Sequence, residues 1–268
     1  MNGQPTETRS ALVRRPGPLL VNGLLTHIER IPVNAARAQV QWAAYVDTLR
    51  QAGWDTIEVP AADDCADAVF IEDPVVMFGR LAVLCRSGAP SRQPETVLLE
   101  PVLKDLGCQV ERISSPGTLD GGDVLKVGMT VYVGMTLRSN AEGVRQLTEF
   151  LMPYGYTVVG VPTTKVLHLK SAVTALPDGT VIGYAPLVDD PKVFAKFMEV
   201  PEEPGAHVVL LGEGRLLMSA SAPKTAALFT AMGYTPVLVD ISEFEKLEGC
   251  VTCLSVRLRA LPVTLPTP

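Results

Sequence analysis

The chain has 268 residues, of which 47% are hydrophobic and 19% charged, a composition typical of globular proteins and not of disordered ones. A formal net charge of −6, without lysine- or arginine-rich runs, gives no electrostatic reason to expect nucleic-acid binding. No apolar stretch approaches the roughly 20 residues that cross a bilayer, and residues 1–15 lack the apolar core of a signal peptide. The five cysteines are scattered along the chain, which argues against a disulfide scaffold. We therefore expect a soluble, cytoplasmic protein that binds neither nucleic acid nor membranes.

A recurring pattern of helix, glycine and strand runs along the chain. The predicted helices span residues 45–53, 99–107, 146–155 and 226–233, and the β-branched strands that follow them span residues 56–59, 110–113, 157–161 and 237–239. Each helix ends at a glycine, the residue that most readily forms a left-handed C-cap. A fifth, looser copy consists of a helix at residues 193–197, Gly205, and a strand at residues 208–211.

Further short strands are predicted between these copies, at residues 82–85, 131–134 and 181–184, and residues 67–73 indicate an apolar strand that ends in two carboxylates. Recurrence at roughly 50 residues, with several strands for each helix, favours repeated units around an axis. A doubly wound α/β sheet, which also alternates helices and strands, is the alternative. We expect a single catalytic domain over residues 1–268, with loose ends at about residues 1–10 and 259–268.

The segment Asp120-Gly121-Gly122-Asp123 precedes an alternating apolar stretch, residues 124–127, that predicts a strand. Two glycines between two carboxylates allow a backbone bend that larger residues cannot make, and such a bend can direct an acidic side chain into a cleft. By itself the motif is more typical of a turn that begins a hairpin. It becomes a candidate site because of a histidine and a cysteine farther along the chain.

Cys253 follows a glycine-containing turn, where a thiol at the end of a strand could face a cleft. A nucleophilic cysteine needs a nearby imidazole to stabilise its thiolate and to transfer protons. Of three histidines, His168 has the most suggestive setting, and Asp120 could orient its imidazole or bind a cationic substrate. Each of these residues alone is more often structural.

Cys250 forms a C-x-x-C motif with Cys253. A thioredoxin-like pair belongs at the start of a helix after the first strand, and this pair lies near the C-terminus before a strand. A zinc site needs a second pair of ligands, and none has suitable spacing. The simplest interpretation is that Cys250 is a bystander.

Acidic residues cluster at Asp67, Glu72 and Asp73, and adjacent acids of this kind are often simply solvated. If they share a cleft with Asp120, they form an anionic pocket suited to a guanidinium or ammonium group. Arg92 and Arg138 could bind the carboxylate of an amino acid. Together these groups predict a pocket for a zwitterion with a cationic tail.

Five segments resemble, in order, those of the dimethylarginine dimethylaminohydrolases, a family of the guanidino-modifying (arginine deiminase-like) superfamily. They are residues 67–73, 88–92, 119–125, 167–171 and 252–256. The resemblance implies an α/β fold, the five-bladed α/β propeller (pentein) of repeated ββαβ units with pseudo-fivefold symmetry. The repeated helix, glycine and strand pattern supports that fold independently.

The resemblance also implies a reaction. Cys253 would attack the guanidinium carbon of asymmetric dimethylarginine or monomethylarginine, methylamine or dimethylamine would leave, and water would hydrolyse the covalent thiouronium adduct to citrulline. His168 would protonate the departing amine and then activate the water. No metal and no organic cofactor are implied, the partner is a small guanidino substrate, and the protein is expected to be a monomer or a homodimer.

The remaining roles implied by the resemblance concern substrate binding. Asp120 and Asp73 would bind the guanidinium nitrogens, and Arg92 and Arg138 would bind the substrate carboxylate. The α-ammonium group would be bound by Asp67 and by the backbone carbonyl of Leu247. Glu72 would support the pocket floor, Phe70 would pack beside the substrate, and Leu24 would belong to a lid.

Two alternatives stay open at this point. The first is an arginine or agmatine deiminase that releases ammonia, although agmatine has no carboxylate for Arg92 and Arg138 to bind. The second is a non-catalytic pentein binding module, although such modules lack a cysteine, histidine and acid set. The aspartate at position 120, the absence of a long helical insertion and the absence of a methionine-rich segment around Cys253 favour the dimethylarginine branch.

Overall fold

The computed structural model describes residues 9–258. Nearly all of the two ends that the sequence predicts to be loose therefore lies outside the described residues. Ser10, which that prediction includes, already begins the first strand. None of the five α-helices in the described part of the chain combines the length and the apolarity needed to span a bilayer.

Fifteen β-strands and five α-helices lie between residues 9 and 258. The strands are β1 (Ser10–Val13), β2 (Asp55–Glu58), β3 (Val75–Phe78), β4 (Leu81–Leu84), β5 (Gln109–Arg112), β6 (Val124–Val127), β7 (Thr130–Met135), β8 (Thr157–Pro162), β9 (Val173–Ala175), β10 (Val181–Gly183), β11 (Phe197–Glu199), β12 (Val209–Gly212), β13 (Arg215–Ser219), β14 (Thr235–Val239) and β15 (Val256–Leu258). The helices are α1 (Ala35–Gln51), α2 (Leu99–Asp105), α3 (Ala141–Leu151), α4 (Pro223–Ala231) and α5 (Ser242–Glu245).

The described strands form five separate three-stranded sheets, in the orders β15-β1-β2, β3-β4-β5, β6-β7-β8, β9-β10-β11 and β12-β13-β14. In each sheet the middle strand pairs antiparallel with one neighbour and parallel with the other. The pairing of β15 with β1 closes the ring, since it joins the last described strand to the first. Five equivalent sheets confirm the predicted five-bladed α/β propeller, because a doubly wound fold would form one continuous sheet.

The helices supply the long crossovers that parallel strand pairs need, and four of the five sheets have one. The glycines predicted as C-caps all have a left-handed backbone: φ is 85° at Gly53, 71° at Gly107, 75° at Gly155 and 88° at Gly233. The predicted starts were less accurate. Helix α1 begins ten residues before position 45 and α3 five residues before position 146, each capped by an asparagine side chain, Asn34 or Asn140, that accepts a backbone hydrogen bond.

The fifth copy departs from the prediction, because its crossover contains no α-helix. Between β10 and β11 the chain makes two short 3₁₀ turns, Ala185–Leu187 and Pro191–Val193, and residues 197–199 belong to β11. Pro186 and Pro191 each stand in the first turn of their 3₁₀ element, where a missing amide donor is tolerated, but Pro191 prevents the earlier turn from continuing as a helix through that position. Gly205 lies in a further 3₁₀ turn, where its α-carbon packs against Thr225.

The strand predicted for residues 67–73 is also wrong. The segment forms consecutive turns, in which the amide of Phe70 donates to the carbonyl of Asp67 at 2.9 Å and that of Asp73 to Phe70 at 3.2 Å. All seven residues are buried, and a short apolar run gives no periodicity that separates a strand from a buried loop.

Helix α1 connects the fold to the site. Its buried face, which includes Trp42, Tyr45 and Leu49, follows the three- and four-residue spacing of an amphipathic helix. The Tyr45 hydroxyl lies 2.8 Å from the carbonyl oxygen of Val251 and 2.8 Å from the hydroxyl of Ser255. The core therefore fixes the turn that carries Cys253 from both sides.

Candidate active site

Loops from several blades meet around one narrow cavity. Its lining comprises Leu24, Asp67, Phe70, Asp73, Arg92, Arg138, Leu167, His168, Leu247, Glu248, Gly249 and Cys253. Every residue that the sequence predicted for the site is in this set except Asp120 and Glu72. Most of the set lies outside regular secondary structure, as expected for functional groups positioned by a rigid scaffold.

The two glycines of the Asp120–Asp123 segment are required for space. A Cβ on Gly122 would lie 2.6 Å from both Asp73 Oδ1 and His168 Nδ1, and one on Gly121 would lie 2.0 Å from the carbonyl oxygen of Glu72. Neither glycine has a positive φ. The sequence thus identified the right segment, but close approach explains the glycines and the predicted special bend does not.

His168 is almost completely buried among carboxylates. Its Nε2 lies 3.0 Å from Asp120 Oδ2, and its Nδ1 lies 3.7 Å from Asp73 Oδ1. Burial alone would lower the imidazole pKa, but Asp73, Asp120 and Asp123 outweigh it and raise the pKa to about 9. The ring is therefore an imidazolium at neutral pH, which can donate a proton.

Asp120 supports this imidazolium from a fully buried position. Its Oδ2 also accepts from Arg138 Nη1 at 3.3 Å, while Oδ1 accepts no hydrogen bond from the described residues. Asp120 is absent from the cavity lining. Of the roles considered for it, orientation of the imidazole is the one that these contacts support.

Asp123, the second carboxylate of the segment, was not predicted as a site residue. It accepts from Thr136 Oγ1 at 2.8 Å, Ser139 Oγ at 2.5 Å and the amide of Leu169 at 2.9 Å. Burial raises its pKa to about 6. Because Leu169 follows His168 directly, Asp123 holds the histidine loop in place.

Arg92 and Asp73 form a buried ion pair, with Nη1 2.6 Å from Oδ2. Glu95, which the sequence reading missed, binds the same guanidinium through Nε and Nη2, both at 2.9 Å. The carbonyls of Asp67 and Phe70 accept from Nη2 as well, at 3.2 and 3.3 Å. Most donors of Arg92 thus serve the protein, and Arg138 is the better placed of the two arginines to bind a substrate carboxylate.

Asp73 is a strong acceptor at the centre of this network. Burial would raise its pKa, but the charges of His168 and Arg92 lower it to about 2. Its Oδ1 also accepts from the amide of Gly122 at 2.9 Å. Asp73, Asp120 and His168 each place one potential metal-ligand atom within 4.8 Å of the others, and in this structure those groups pair with arginine and with each other.

Glu72 lies behind the nucleophile loop. Its Oε2 accepts from Thr252 Oγ1 at 2.8 Å, its Oε1 pairs with Lys170 Nζ at 2.6 Å, and its amide donates to the carbonyl of Cys253 at 3.2 Å. The carboxylate borders a second cavity of about 420 Å³. Glu72 therefore supports the loop that carries Cys253 from behind, and its role at the pocket floor stays a prediction.

Cys253 lies beside Cys250, with 3.3 Å between the two sulfur atoms. The amide of Cys253 donates to the carbonyl of Cys250 at 3.1 Å, so a tight turn fixes this approach. The hydrogen bond between the sulfurs lowers the pKa of Cys250 to about 5 and raises that of Cys253 well above its usual range. Two thiolates at this distance would repel each other, and the pair therefore retains one proton.

The segment of residues 23–27 covers the cavity, and two carboxylates hold it. The amide of Leu24 donates to Asp67 Oδ1 and Oδ2 at 3.1 and 3.2 Å. The amides of Thr26 and His27 donate to Glu248 at 2.6 and 2.9 Å. Glu248 was also missed by sequence reading, because nothing in its neighbours indicates that it binds a segment more than 200 residues away.

Comparison with known proteins agrees with this geometry. A family model described as arginine deiminase matches residues 37–209. An N(G),N(G)-dimethylarginine dimethylaminohydrolase of Streptomyces coelicolor is 61% identical over 254 residues, which cover 95% of this chain and 98% of that protein. The chain belongs to the dimethylarginine dimethylaminohydrolase family. A family member of the same name from Pseudomonas aeruginosa is 36% identical and covers 92% of this chain and 98% of its own length.

Solved structures of the family have the same fold. An adduct of a dimethylarginine dimethylaminohydrolase variant with S-methyl-L-thiocitrulline aligns with a TM-score of 0.86 at 33% identity, over 94% of this chain and 100% of that one. A variant of the Pseudomonas aeruginosa enzyme in complex with citrulline aligns with the same TM-score at 34% identity and the same coverage. The family resemblance expected from five short segments is confirmed.

Proposed function

We propose that this protein is a hydrolase that converts asymmetric dimethylarginine and monomethylarginine to citrulline, releasing dimethylamine or methylamine. One observation carries the proposal: a single cavity brings together the thiol of Cys253, the imidazolium of His168 and the carboxylate of Asp73. A nucleophile, an acid and an anionic partner are what the displacement of an amine from a guanidinium requires. Membership of the family supports the assignment.

The guanidinium end of the substrate would bind at Asp73. The low pKa of Asp73 keeps it anionic over the physiological range, so it can accept N–H hydrogen bonds from a planar cation. Phe70 lines the same cavity and offers an apolar ring for the alkyl chain or the methyl groups. These contacts would place the guanidinium carbon against the Cys253 sulfur.

The substrate's own charge would activate the nucleophile. A guanidinium beside Cys253 favours the thiolate, because an opposite charge at contact distance lowers a thiol pKa. The thiolate adds to the guanidinium carbon, and His168 gives its proton to the amine as the C–N bond breaks. The neutral imidazole then removes a proton from water, which attacks the thiouronium carbon and releases citrulline with the regenerated thiol.

The amino-acid end would bind beneath the covering segment. Asp67 and the carbonyl of Leu247 are acceptors for an α-ammonium group, and Arg138 is a donor for the carboxylate. Burial raises the pKa of Asp67, and its present partner is the amide of Leu24. Substrate would thus replace or share that hydrogen bond, so Leu24 and its neighbours would act as a lid.

A second candidate is the deimination of arginine, which releases ammonia. The family model described as arginine deiminase favours it, and the same residues would carry the reaction. The methyl groups alone separate the two substrates, and one methyl group in a pocket is worth only about 1–3 kcal/mol.

The predictions of a cytoplasmic location and of a monomer or homodimer stay predictions.

The test is citrulline formation from asymmetric dimethylarginine, monomethylarginine, arginine and agmatine, each offered separately. We expect turnover of the methylated substrates, and its loss in Cys253→Ser, while Cys108→Ser, a change at a cysteine that is absent from the cavity lining, retains it. Turnover of arginine alone would assign the deiminase, and turnover of agmatine would remove the role given to Arg138. No turnover of any guanidine would contradict an enzymatic function of this kind.

A further inference from the structure

The chemistry proposed for Cys253 leaves its neighbour Cys250 without a role. Both thiols are free and nearly buried, and their sulfur atoms are 3.3 Å apart. A disulfide needs about 2.0 Å between the sulfurs, so small side-chain rotations would suffice to join them. A backbone hydrogen bond of 3.1 Å from the amide of Cys253 to the carbonyl of Cys250 already closes the turn that carries both thiols.

We propose that Cys250 and Cys253 are a dithiol modification site, which peroxide converts to a reversible disulfide. The disulfide would block the nucleophile and would also protect it from irreversible oxidation. The loss of activity in this account rests on the proposed function, since it requires Cys253 to be the nucleophile. Formation of the bond does not depend on that assignment.

The reaction balances with one peroxide for each pair of thiols. The proton that the pair retains first passes from Cys253 to Cys250, and the Cys253 thiolate then attacks one peroxide oxygen. The O–O bond breaks, Cys253 becomes a sulfenic acid, and the departing hydroxide takes up a proton from solvent to give water. Cys250 then attacks the Cys253 sulfur, the S–O bond breaks, and the second hydroxide leaves as water. The proton that the pair retains and one proton from solvent account for both waters, the sulfurs are oxidised and the peroxide is reduced.

The positions of the two thiols divide the roles between them. Cys253 lines the cavity and is the thiol that a small oxidant reaches first, whereas Cys250 lies behind it and is absent from the lining. Cys250 is thus placed to resolve the sulfenic acid. A cavity this narrow admits peroxide more readily than a bulky disulfide such as oxidised glutathione.

Peptide mass spectrometry gives a direct test. Cleavage after Lys246 and Arg257 releases residues 247–257, which contain both cysteines on one peptide. After brief treatment with a small excess of hydrogen peroxide, we expect this peptide to lose about 2 Da and to resist alkylation until dithiothreitol is added. Citrulline formation should fall at least about tenfold and recover with dithiothreitol, and oxidised glutathione should act more slowly.

Variants separate the disulfide from simple oxidation. In Cys250→Ser we expect peroxide to add oxygen to Cys253, in steps that end in a sulfinic acid about 32 Da heavier, with activity that dithiothreitol does not restore. Cys108→Ser should behave as the unaltered chain. Oxygen addition to peptide 247–257 of the unaltered chain, or equal recovery in Cys250→Ser, would overturn the proposal. If Cys250→Ser does not fold, the mass of peptide 247–257 from the peroxide-treated unaltered chain decides whether the disulfide forms. That measurement does not depend on whether the protein hydrolyses a guanidine.

Discussion

Two sides of the cavity are held in different ways. On one side, Arg92 is nearly buried and forms ion pairs of 2.6 Å with Asp73 and 2.9 Å with Glu95. On the other side, residues 23–27 are held by hydrogen bonds to Asp67 and Glu248. Leu24 in that segment is 37% exposed, whereas Arg92 is 5% exposed. Breaking a buried pair leaves an uncompensated charge, but breaking the exposed hydrogen bonds from Thr26 and His27 to Glu248 exchanges them for bonds to water. The first side is therefore built to stay fixed, and the second to open.

The largest effect is expected for His168, which lies beside Asp73 on the fixed side and would donate the proton in the reaction. His168→Ala removes the proton donor beside Asp73 and Asp120, and kcat should fall about 10²- to 10⁴-fold, the usual contribution of a positioned acid–base group. Steady-state citrulline formation measures it. The exposed His27 provides a control: His27→Ala should change kcat by less than about twofold, because only its backbone contacts Glu248. Similar losses in both variants would remove the special role of His168.

The fixed side should also dominate stability. Glu95→Ala leaves the guanidinium of Arg92 with one carboxylate in place of two, and we expect the free energy of unfolding to fall by about 3–5 kcal/mol. Urea denaturation measures the change. Arg112, partly exposed, pairs with Glu100 at the surface, so Glu100→Ala should cost only about 0–1 kcal/mol. Equal costs would show that burial does not distinguish the two pairs.

The sequence predicted the blades and the site to different degrees. Glycine C-caps are local signals, and all four predicted from sequence, at Gly53, Gly107, Gly155 and Gly233, have the expected backbone. The helix predicted at residues 193–197 was wrong, because a 3₁₀ turn ends at Val193 and Phe197 already begins β11. A run of five residues is too short to separate a helix from other buried structure. Local chemistry therefore predicts the C-terminal ends of helices well and predicts the structure between them less well.

At the site, residues in short motifs could be found and their partners could not. Asp73, His168 and Cys253 belong to segments that resemble the family, and all three reach the cavity. Glu95 and Glu248 escaped notice because a carboxylate that binds a distant group has no signature in its own neighbours. Only the folded chain shows which charges are neutralised, and hence which pKa values move.

The pH dependence should reveal the fixed side directly. The folded-state pKa of His168 is raised to about 9, so its stabilising charge is fully present below the unfolded value of about 6.5 and is lost as pH rises through about 9. Stability should therefore decline between about pH 6.5 and about pH 9 and lose nothing more from this group at higher pH, whereas kcat should fall above about pH 9, where the proton donor is lost. Urea unfolding at several pH values, with His168→Gln as the control that lacks this titration, measures it. An identical decline in the control would assign the effect to another group.

The smallest effect is expected at the opening side. Glu248→Ala removes the acceptor for the amides of Thr26 and His27, and KM should rise about two- to fivefold with kcat nearly unchanged, because exposed hydrogen bonds contribute about 0.5–1.5 kcal/mol. Glu213 is a matched control: between residues 9 and 258 it is the other non-glycine residue with a positive φ, 54° against 59°, and it is absent from the cavity lining. If Glu213→Ala raised KM equally, backbone strain would explain the change.

The most direct test of the central claim is the mass of peptide 247–257 from protein quenched during turnover. Asymmetric dimethylarginine and monomethylarginine should give the same added mass on Cys253, because the methylated amine has already left when the thiouronium forms. An adduct that differs between the two substrates, or one on Cys250, would contradict Cys253 as the nucleophile that displaces the amine.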